Sequence, residues 1–114
     1  MTTKSNTSKL RGSSAALAVY SAFKAGITEF TKSFALEVGR HDIRVNAIAP
    51  GLVDTAQPRD GNSEAEIAVT AAKLPLGRII QPQEIADAAV FLGSDESLQM
   101  TGQVMHINGG QMFR

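Results

Sequence analysis

Tyr20-Ser21-Ala22-Phe23-Lys24 is the stretch around which the chain is organised. Because an α-helix makes one turn every 3.6 residues, side chains four residues apart are neighbours, and Tyr20 and Lys24 have this spacing. A phenol is normally protonated at neutral pH, and a positive charge beside it favours the phenolate. The pair is therefore a candidate general acid/base. An ordinary pair on a helix surface is the alternative, because this spacing is a weak motif on its own.

Length and composition bound the possible functions. The chain has 114 residues, which suits one small domain, and its 11 basic and 11 acidic residues balance. This balance predicts no attraction to nucleic acid or to an anionic membrane. The absence of cysteine excludes disulfides, thiolate metal sites and a cysteine nucleophile. No apolar run suggests a membrane span or a signal peptide, so we expect a soluble, cytoplasmic protein.

A long helix is predicted from about Ala15. Large apolar residues recur at helical spacing and predict a buried stripe: Phe23, Ile27, Phe30, Phe34 and Val38. The Tyr20–Lys24 pair falls at the edge of this stripe, so we expect it to be partly shielded from water. Small residues form a second line, which predicts two packing neighbours, with another chain as a candidate for one of them: Ala22, Ala25, Gly26 and Ala35. The polar residues 1–14 are predicted to be a flexible tail or a displaced loop, separate from 15–114.

A buried strand is predicted after this helix, over Ile43–Ala49, and Pro50-Gly51 closes it. A helix that leads into such a strand predicts a parallel sheet. Ligands of open α/β sheets bind at the carboxyl ends of strands, which is where the segment from Pro50 to Thr55 falls. A simple turn is the alternative reading of Pro-Gly.

Two further helices and a last strand follow. Ser63 and Glu66 have capping-box spacing and predict a helix over Ser63–Lys73. A second helix is predicted to begin at Gln81 with proline at its first position and to stop at Gly93. Leu74–Ile80 is predicted to be a connecting loop. Gln103–Ile107 is the predicted last strand, and Asn108–Gly110 is a turn.

Taken in order, these motifs resemble the C-terminal half of the short-chain dehydrogenases/reductases. The segments that carry the resemblance are Tyr20–Gly26, Arg44–Gly51 with Thr55, Pro75–Arg78, Glu84–Ala86, Phe91-Leu92, Thr101-Gly102 and Asn108–Gly110. The resemblance implies an α/β fold, here a truncated Rossmann-like doubly wound fold. It would consist of the long helix, the last two parallel strands and the connecting helices. It also implies hydride transfer between NAD or NADP and a small alcohol or carbonyl substrate.

Specific roles follow from the resemblance. Tyr20 would be the general acid/base, and Lys24 would support it and bind the nicotinamide ribose. The residues after the strand would contact the nicotinamide: Pro50, Gly51, Val53 and Thr55. The serine that polarises the substrate oxygen in this family falls at Thr7, with Ser8 one residue later. A threonine hydroxyl can donate the same hydrogen bond.

The sequence also departs from the family pattern. Neither G-x-x-x-G-x-G nor G-x-G-x-x-G occurs, so the phosphate-binding loop has no counterpart here. Two strands rarely make a stable sheet, and we expect apolar faces to be left uncovered. The second hypothesis is therefore a catalytically silent module that associates with its own copies or with a full-length relative. His41 and His106 lack a third nearby ligand, and no metal site is predicted.

Overall fold

The computed structural model describes residues 14–55 and 63–111, with side chains from residue 18 onward. The helices of this part are α1 (Ser14–Val38), α2 (Glu64–Ala72) and α3 (Pro82–Leu92), and the strands are β1 (Ala47–Pro50) and β2 (Val104–Ile107). Short 3₁₀ turns follow α1 at Gly39–His41 and α3 at Asp95–Ser97. The predicted order of three helices and two strands is confirmed.

The two strands pair in parallel, with Ala47 opposite Val104 and Pro50 opposite Ile107. The parallel sheet is therefore confirmed, but β1 begins four residues later than predicted. Before it, the backbone N–H of Val45 donates to the side chain of Thr101 at 3.1 Å, and its carbonyl accepts from the N–H of Gly102 at 2.6 Å. These contacts take the place of a strand ladder, so Ile43 lies outside the sheet and is exposed.

Arg44 fastens the approach to β1 onto the region after α3. Its Nη1 donates to the carbonyl of Ser97 at 2.8 Å and to that of Met100 at 3.3 Å, while Nη2 donates to the carbonyl of Ser94 at 3.1 Å. Nη1 also reaches the Ser97 hydroxyl at 3.0 Å. A guanidinium can serve several acceptors at once because its donors form a fixed planar fork. One side chain thus holds together segments about fifty residues apart in sequence.

Both short helices begin as their sequences predict. The hydroxyl of Ser63 accepts from the N–H of Glu66 at 3.1 Å at the start of α2. At the start of α3, Glu84 accepts from the N–H of Gln81 at 2.8 Å and from Arg78 at 2.6 and 2.9 Å. These bonds, that of Arg78 above all, lower the pKa of Glu84 to about 2, and the same pair raises the pKa of Arg78. Helix α3 ends at Gly93, as predicted.

Helix α1 packs on the sheet region through small residues. Thr31 and Ala35 are 4% and 5% exposed, and a Cβ added to Gly102 would lie 3.5 Å from the Cβ of Ala35. The buried Thr31 hydroxyl donates to the carbonyl of Ile27 at 2.7 Å, so its burial leaves no unpaired donor. The small side chains allow this close approach of helix and loop.

The prediction of a buried stripe on α1 is wrong for every member except the last, Val38. Phe23, Ile27 and Phe30 are 71%, 58% and 63% exposed, and Phe34 is 38% exposed, whereas Val38 is half-buried. The predicted second line is also mostly exposed, because Ala22, Ala25 and Gly26 are open to solvent and only Ala35 is buried. No described element covers the large side chains. The expectation that an apolar face would be left uncovered is confirmed for α1.

The buried apolar residues of the described part are few: Ala35, Ile67, Leu74 and Ile80. Two of them belong to Leu74–Ile80, which was predicted to be only a connecting loop. Ile80 forms an isolated parallel bridge with Val53, three residues after the end of β1. The Leu74–Ile80 segment is therefore paired with the chain that follows β1. The connection is thus part of the core, a role that its mixture of Gly, Pro and apolar residues did not indicate.

Candidate active site

Tyr20 and Lys24 lie one above the other on α1, as their spacing predicts. The Nζ of Lys24 is 5.6 Å from the centre of the Tyr20 ring, within the range of a cation–π contact. Tyr20 is 53% exposed, so the pair is more open to water than its predicted place beside a buried stripe suggested.

The pair follows the same line along α1 as the buried residues Thr31 and Ala35. Lys24, Thr28, Thr31 and Ala35 are spaced by four, three and four residues, so they follow one line along the helix. Thr31 and Ala35 form the buried contact of α1 beside Gly102, in the loop that precedes β2, and Tyr20 lies eleven residues before Thr31. At 1.5 Å per residue, this places Tyr20 roughly 16 Å along the axis from that contact. No hydrogen bond among residues 14–55 and 63–111 links the pair to residues 50–55.

The carboxyl end of β1 is packed tightly against the turn after β2. The N–H of Gly51 donates to the carbonyl of Ile107 at 2.8 Å. A Cβ at Gly51 would lie 2.9 Å from the Cα of Asn108 and 2.9 Å from the Oε1 of Gln111. Both distances are shorter than a Cβ normally keeps from a nonbonded atom. Gly51 is therefore required by close packing between the two strand ends, whatever ligand the segment binds.

Val53 presents its backbone to the side opposite Ile80. The N–H of Asp54 donates to the carbonyl of Ile80 at 2.7 Å, and the N–H of Ile80 donates to that of Leu52 at 2.9 Å. In a parallel pair these bonds flank the bridging residue, so its own N–H and carbonyl point away. The carbonyl of Val53 accepts from the N–H of Thr55 at 2.9 Å. The Val53 N–H has no acceptor among the described residues, and Thr55 is exposed.

The turn after β2 docks against the segment that precedes α3. The N–H of Leu76 donates to the carbonyl of Gly109 at 3.1 Å, and the N–H of Gly110 donates to the side chain of Asn108 at 3.0 Å. Gly110 has a φ of +88°, and a Cβ there would lie 2.6 Å from the Cγ of Pro75. The sequence indicated only a turn here. The structure shows that this turn packs against Gly51 on one side and against Pro75 and Leu76 on the other.

The remaining predicted residues are not part of this region. Thr7 and Ser8 are outside the described residues. His41 lies in the 3₁₀ turn after α1 and His106 in β2, and no group of three or more metal-ligating side chains occurs within 14–55 and 63–111. In the same part of the chain, no helix has both the length and the apolar character that a membrane span needs.

Family comparisons agree with the fold and with the motifs. A family model described as enoyl-(acyl carrier protein) reductase matches residues 1–112. A short-chain dehydrogenase family protein from Francisella tularensis superposes with a TM-score of 0.74 at 40% identity, over 80% of this chain and 42% of that one. The chain belongs to the short-chain dehydrogenase/reductase family, as its motifs predicted.

The individual relatives share a narrower description. The 3-oxoacyl-[acyl-carrier-protein] reductase of Vibrio cholerae is 45% identical over 91 residues, which are 80% of this chain and 37% of the relative. The protein of the same name from Chlamydia trachomatis is 47% identical over 91 residues, 80% of this chain and 36% of the relative. The structure of that reductase from Brucella melitensis gives a TM-score of 0.77 at 40% identity, covering 83% and 35%. The chain thus spans little more than a third of the length of these reductases.

Proposed function

We propose that this chain carries the acid/base part of an oxidoreductase site of the short-chain type. The observation that carries the proposal is the placement of the Lys24 ammonium beside the Tyr20 ring, in a chain of this family. We assign residues 15–114 to the C-terminal portion of a Rossmann-like domain. The reaction is the interconversion of a small carbonyl compound and its alcohol with NAD or NADP. Because the chain lacks cysteine, it suits a reducing compartment such as the cytoplasm.

In the reducing direction, the hydroxyl of Tyr20 gives its proton to the carbonyl oxygen of the substrate. The nicotinamide, when bound, supplies the hydride that the carbonyl carbon accepts. Lys24 stabilises the negative charge left on the Tyr20 oxygen, and its ammonium has donors free to bind a ribose hydroxyl. The relatives reduce 3-oxoacyl groups according to their names, so a 3-oxoacyl thioester is the substrate class that we propose.

The strand-end segment suits the carboxamide of a nicotinamide. This group needs a hydrogen-bond donor and an acceptor close together. The N–H of Val53, which has no acceptor among the described residues, and the exposed Thr55 provide polar groups there. Pro50 and Gly51 would line the same pocket. The sequence has no glycine-rich phosphate loop, so most of the usual binding energy for a dinucleotide is missing from this chain. We therefore expect weak cofactor affinity.

A comparison of wild type and Tyr20→Phe tests the proposed chemistry. The reduction of a 3-oxoacyl thioester is followed through the loss of NADH or NADPH absorbance, at the same high concentration of each chain. Loss of the phenol hydroxyl should lower the turnover by about 10²- to 10⁴-fold, the contribution of a general acid. Ser21→Ala, which alters the adjacent exposed hydroxyl, is the matched control and should keep the wild-type rate. Equal rates for wild type and Tyr20→Phe would refute the assignment.

A second candidate function is association without catalysis. It is favoured by the exposed apolar side chains of α1, which are unusual for an isolated soluble domain. The partner would be another copy of this chain or a full-length relative. Calorimetric titration with NADH and NADPH separates the two functions. Measurable binding, even if weak, would favour the enzyme, whereas a defined oligomer with no detectable cofactor binding would favour the association module.

A further inference from the structure

The turn after β2 contains the one Asn-Gly dipeptide of the chain, Asn108-Gly109. An asparagine side chain can react with the backbone nitrogen of the next residue, and glycine has no side chain to shield that nitrogen. The other asparagines are each followed by a residue with a side chain: Asn6, Asn46 and Asn62. Asn108 is therefore the asparagine that is most open to attack by its own backbone.

We propose that Asn108 is a site of hydrolytic deamidation and that the folded turn protects it, so that the reaction proceeds when the strand ends open. The nitrogen of Gly109 loses its proton and bonds to Cγ of Asn108, while the bond from Cγ to Nδ2 breaks. Nδ2 leaves as ammonia, which carries away that proton, and a cyclic imide remains. Water then opens the imide: addition at Cγ gives aspartate, and addition at the main-chain carbonyl carbon gives isoaspartate. No oxidant or reductant takes part.

Three hydrogen bonds restrain the reacting groups in the folded turn. The N–H of Gly110 donates to Oδ1 of Asn108 at 3.0 Å and holds the side chain. The N–H of Gln111 donates to the carbonyl of Asn108 at 3.0 Å, and the N–H of Leu76 donates to that of Gly109 at 3.1 Å. Closing the imide ring requires rotation about the Cα–Cβ and Cα–C bonds of Asn108. This rotation moves the acceptors away from their donors, so the hydrogen bonds oppose it.

Gly51 closes the space on the other side of Asn108. A Cβ at Gly51 would lie 2.9 Å from the Cα and 3.0 Å from the Cβ of Asn108, so the two residues are in direct contact. Asn108 is also half-buried. The side chain has little room to turn while the strand ends are closed. Local opening of this contact is therefore the step that admits the reaction.

The isoaspartate product does not fit the original turn. It has an additional carbon atom in the main chain, beside the close contact with Gly51, and both products replace a neutral amide by a carboxylate. The turn has no slack on its other side, where a Cβ at Gly110 would lie 2.6 Å from the Cγ of Pro75. Deamidation thus converts a transient opening of the strand ends into a permanent one. The inference is independent of the reaction proposed for Tyr20.

The rate of deamidation in folded and unfolded wild type tests the protection. Samples are kept in buffer or in guanidinium chloride at one pH and temperature, and circular dichroism establishes which are folded. Mass spectrometry then follows the tryptic peptide 79–114, in which Asn108 is the only asparagine. We expect deamidation at least about tenfold faster in guanidinium chloride, which corresponds to an opening free energy of about 1.4 kcal/mol. Asn46, which precedes Ala47, is the internal control and should stay intact on this timescale.

Two variants separate the chemistry from the protection. Gly51→Ala forces the strand ends apart and should raise the rate in buffer toward that of the unfolded chain, whereas Gly26→Ala, which meets no atom within 4 Å, should keep the wild-type rate. Gly109→Ala is compared in guanidinium chloride, where folding plays no part. Its methyl group shields the attacking nitrogen and should slow the reaction severalfold.

Each part of the proposal can be overturned. Absence of product at Asn108 in guanidinium chloride would eliminate the modification site, and equal rates for folded and unfolded wild type would eliminate the protection. An unchanged rate in Gly51→Ala would show that its contact with Asn108 is not what holds the turn closed. None of these measurements involves turnover, so the proposed reaction can fail while the deamidation site stands, and the reverse.

Discussion

The amino-terminal part of α1 and the region around the strand ends contrast sharply in how they are held. From Val19 to Phe30, the large apolar side chains are more than half exposed. Tyr20 and Lys24 are held next to each other by the helix alone. At the two ends of the sheet, Arg44 before β1 and Gly51 after it contact residues more than fifty positions away in sequence. The contrast shows that a motif within one helical turn needs no tertiary support to assemble its side chains. A site built from distant segments exists only when the fold exists.

Arg44→Ala should have the largest effect on stability. It removes the side chain that serves the carbonyls of Ser94, Ser97 and Met100 and leaves these half-buried acceptors without their charged donor. Hydrogen bonds to charged groups contribute about 1.5–3 kcal/mol, and we expect a loss of about 3 kcal/mol in the free energy of unfolding. Urea denaturation measures this. A loss below about 1 kcal/mol would mean that the approach to β1 is less dependent on this anchor than the contacts indicate.

Gly51→Ala should have a smaller but clear effect. The added methyl group would overlap the backbone of Asn108, so the two strand ends must move apart, at a cost of about 1–3 kcal/mol. Gly26→Ala, in the exposed part of α1, meets no atom within 4 Å and is the matched control. It should stabilise the helix by up to about 1 kcal/mol. If both variants shift the urea midpoint in the same direction, the contrast between the two regions is broken.

Lowering the pH should weaken the start of α3 slightly. The pKa of Glu84 is about 2 in the folded chain and lies near 4.3 in an unfolded one, so folding favours its ionised form. Its contribution is complete above about pH 5 and is lost as the pH falls toward 2. Because the Arg78–Glu84 pair is exposed, we expect a small effect that salt screens. Glu84→Gln should flatten this part of the melting temperature profile, and an unchanged profile would contradict the assignment.

Phe23→Ala should have the smallest effect of all. A buried phenylalanine would cost about 3–5 kcal/mol on truncation, but Phe23 is 71% exposed and alanine is the better helix former. At concentrations where the chain is monomeric, we expect a change within about 0.5 kcal/mol in the free energy of unfolding. A loss of more than 2 kcal/mol in dilute solution would show that another part of the same chain covers this face.

The local features were predicted well because each depends on neighbours in sequence. Ser63 caps α2, proline opens α3, and Gly93 ends it, as the spacing of a few residues indicated. The family also followed from ordered short motifs, and the comparisons confirm it. The burial of Phe23 and its companions was predicted wrongly, because apolar periodicity identifies a face that can be buried but does not say what covers it.

The sequence by itself determined the order of helices and strands, the parallel sheet and the adjacency of Tyr20 and Lys24. Each of these is set by helical period, capping and chain order. Only the tertiary structure decided that Leu74 and Ile80 form part of the core, that Gly51 must be glycine, and that the large apolar side chains of α1 are exposed. These outcomes depend on which distant atoms meet, and steric fit between segments far apart in the chain leaves no periodic trace in the sequence.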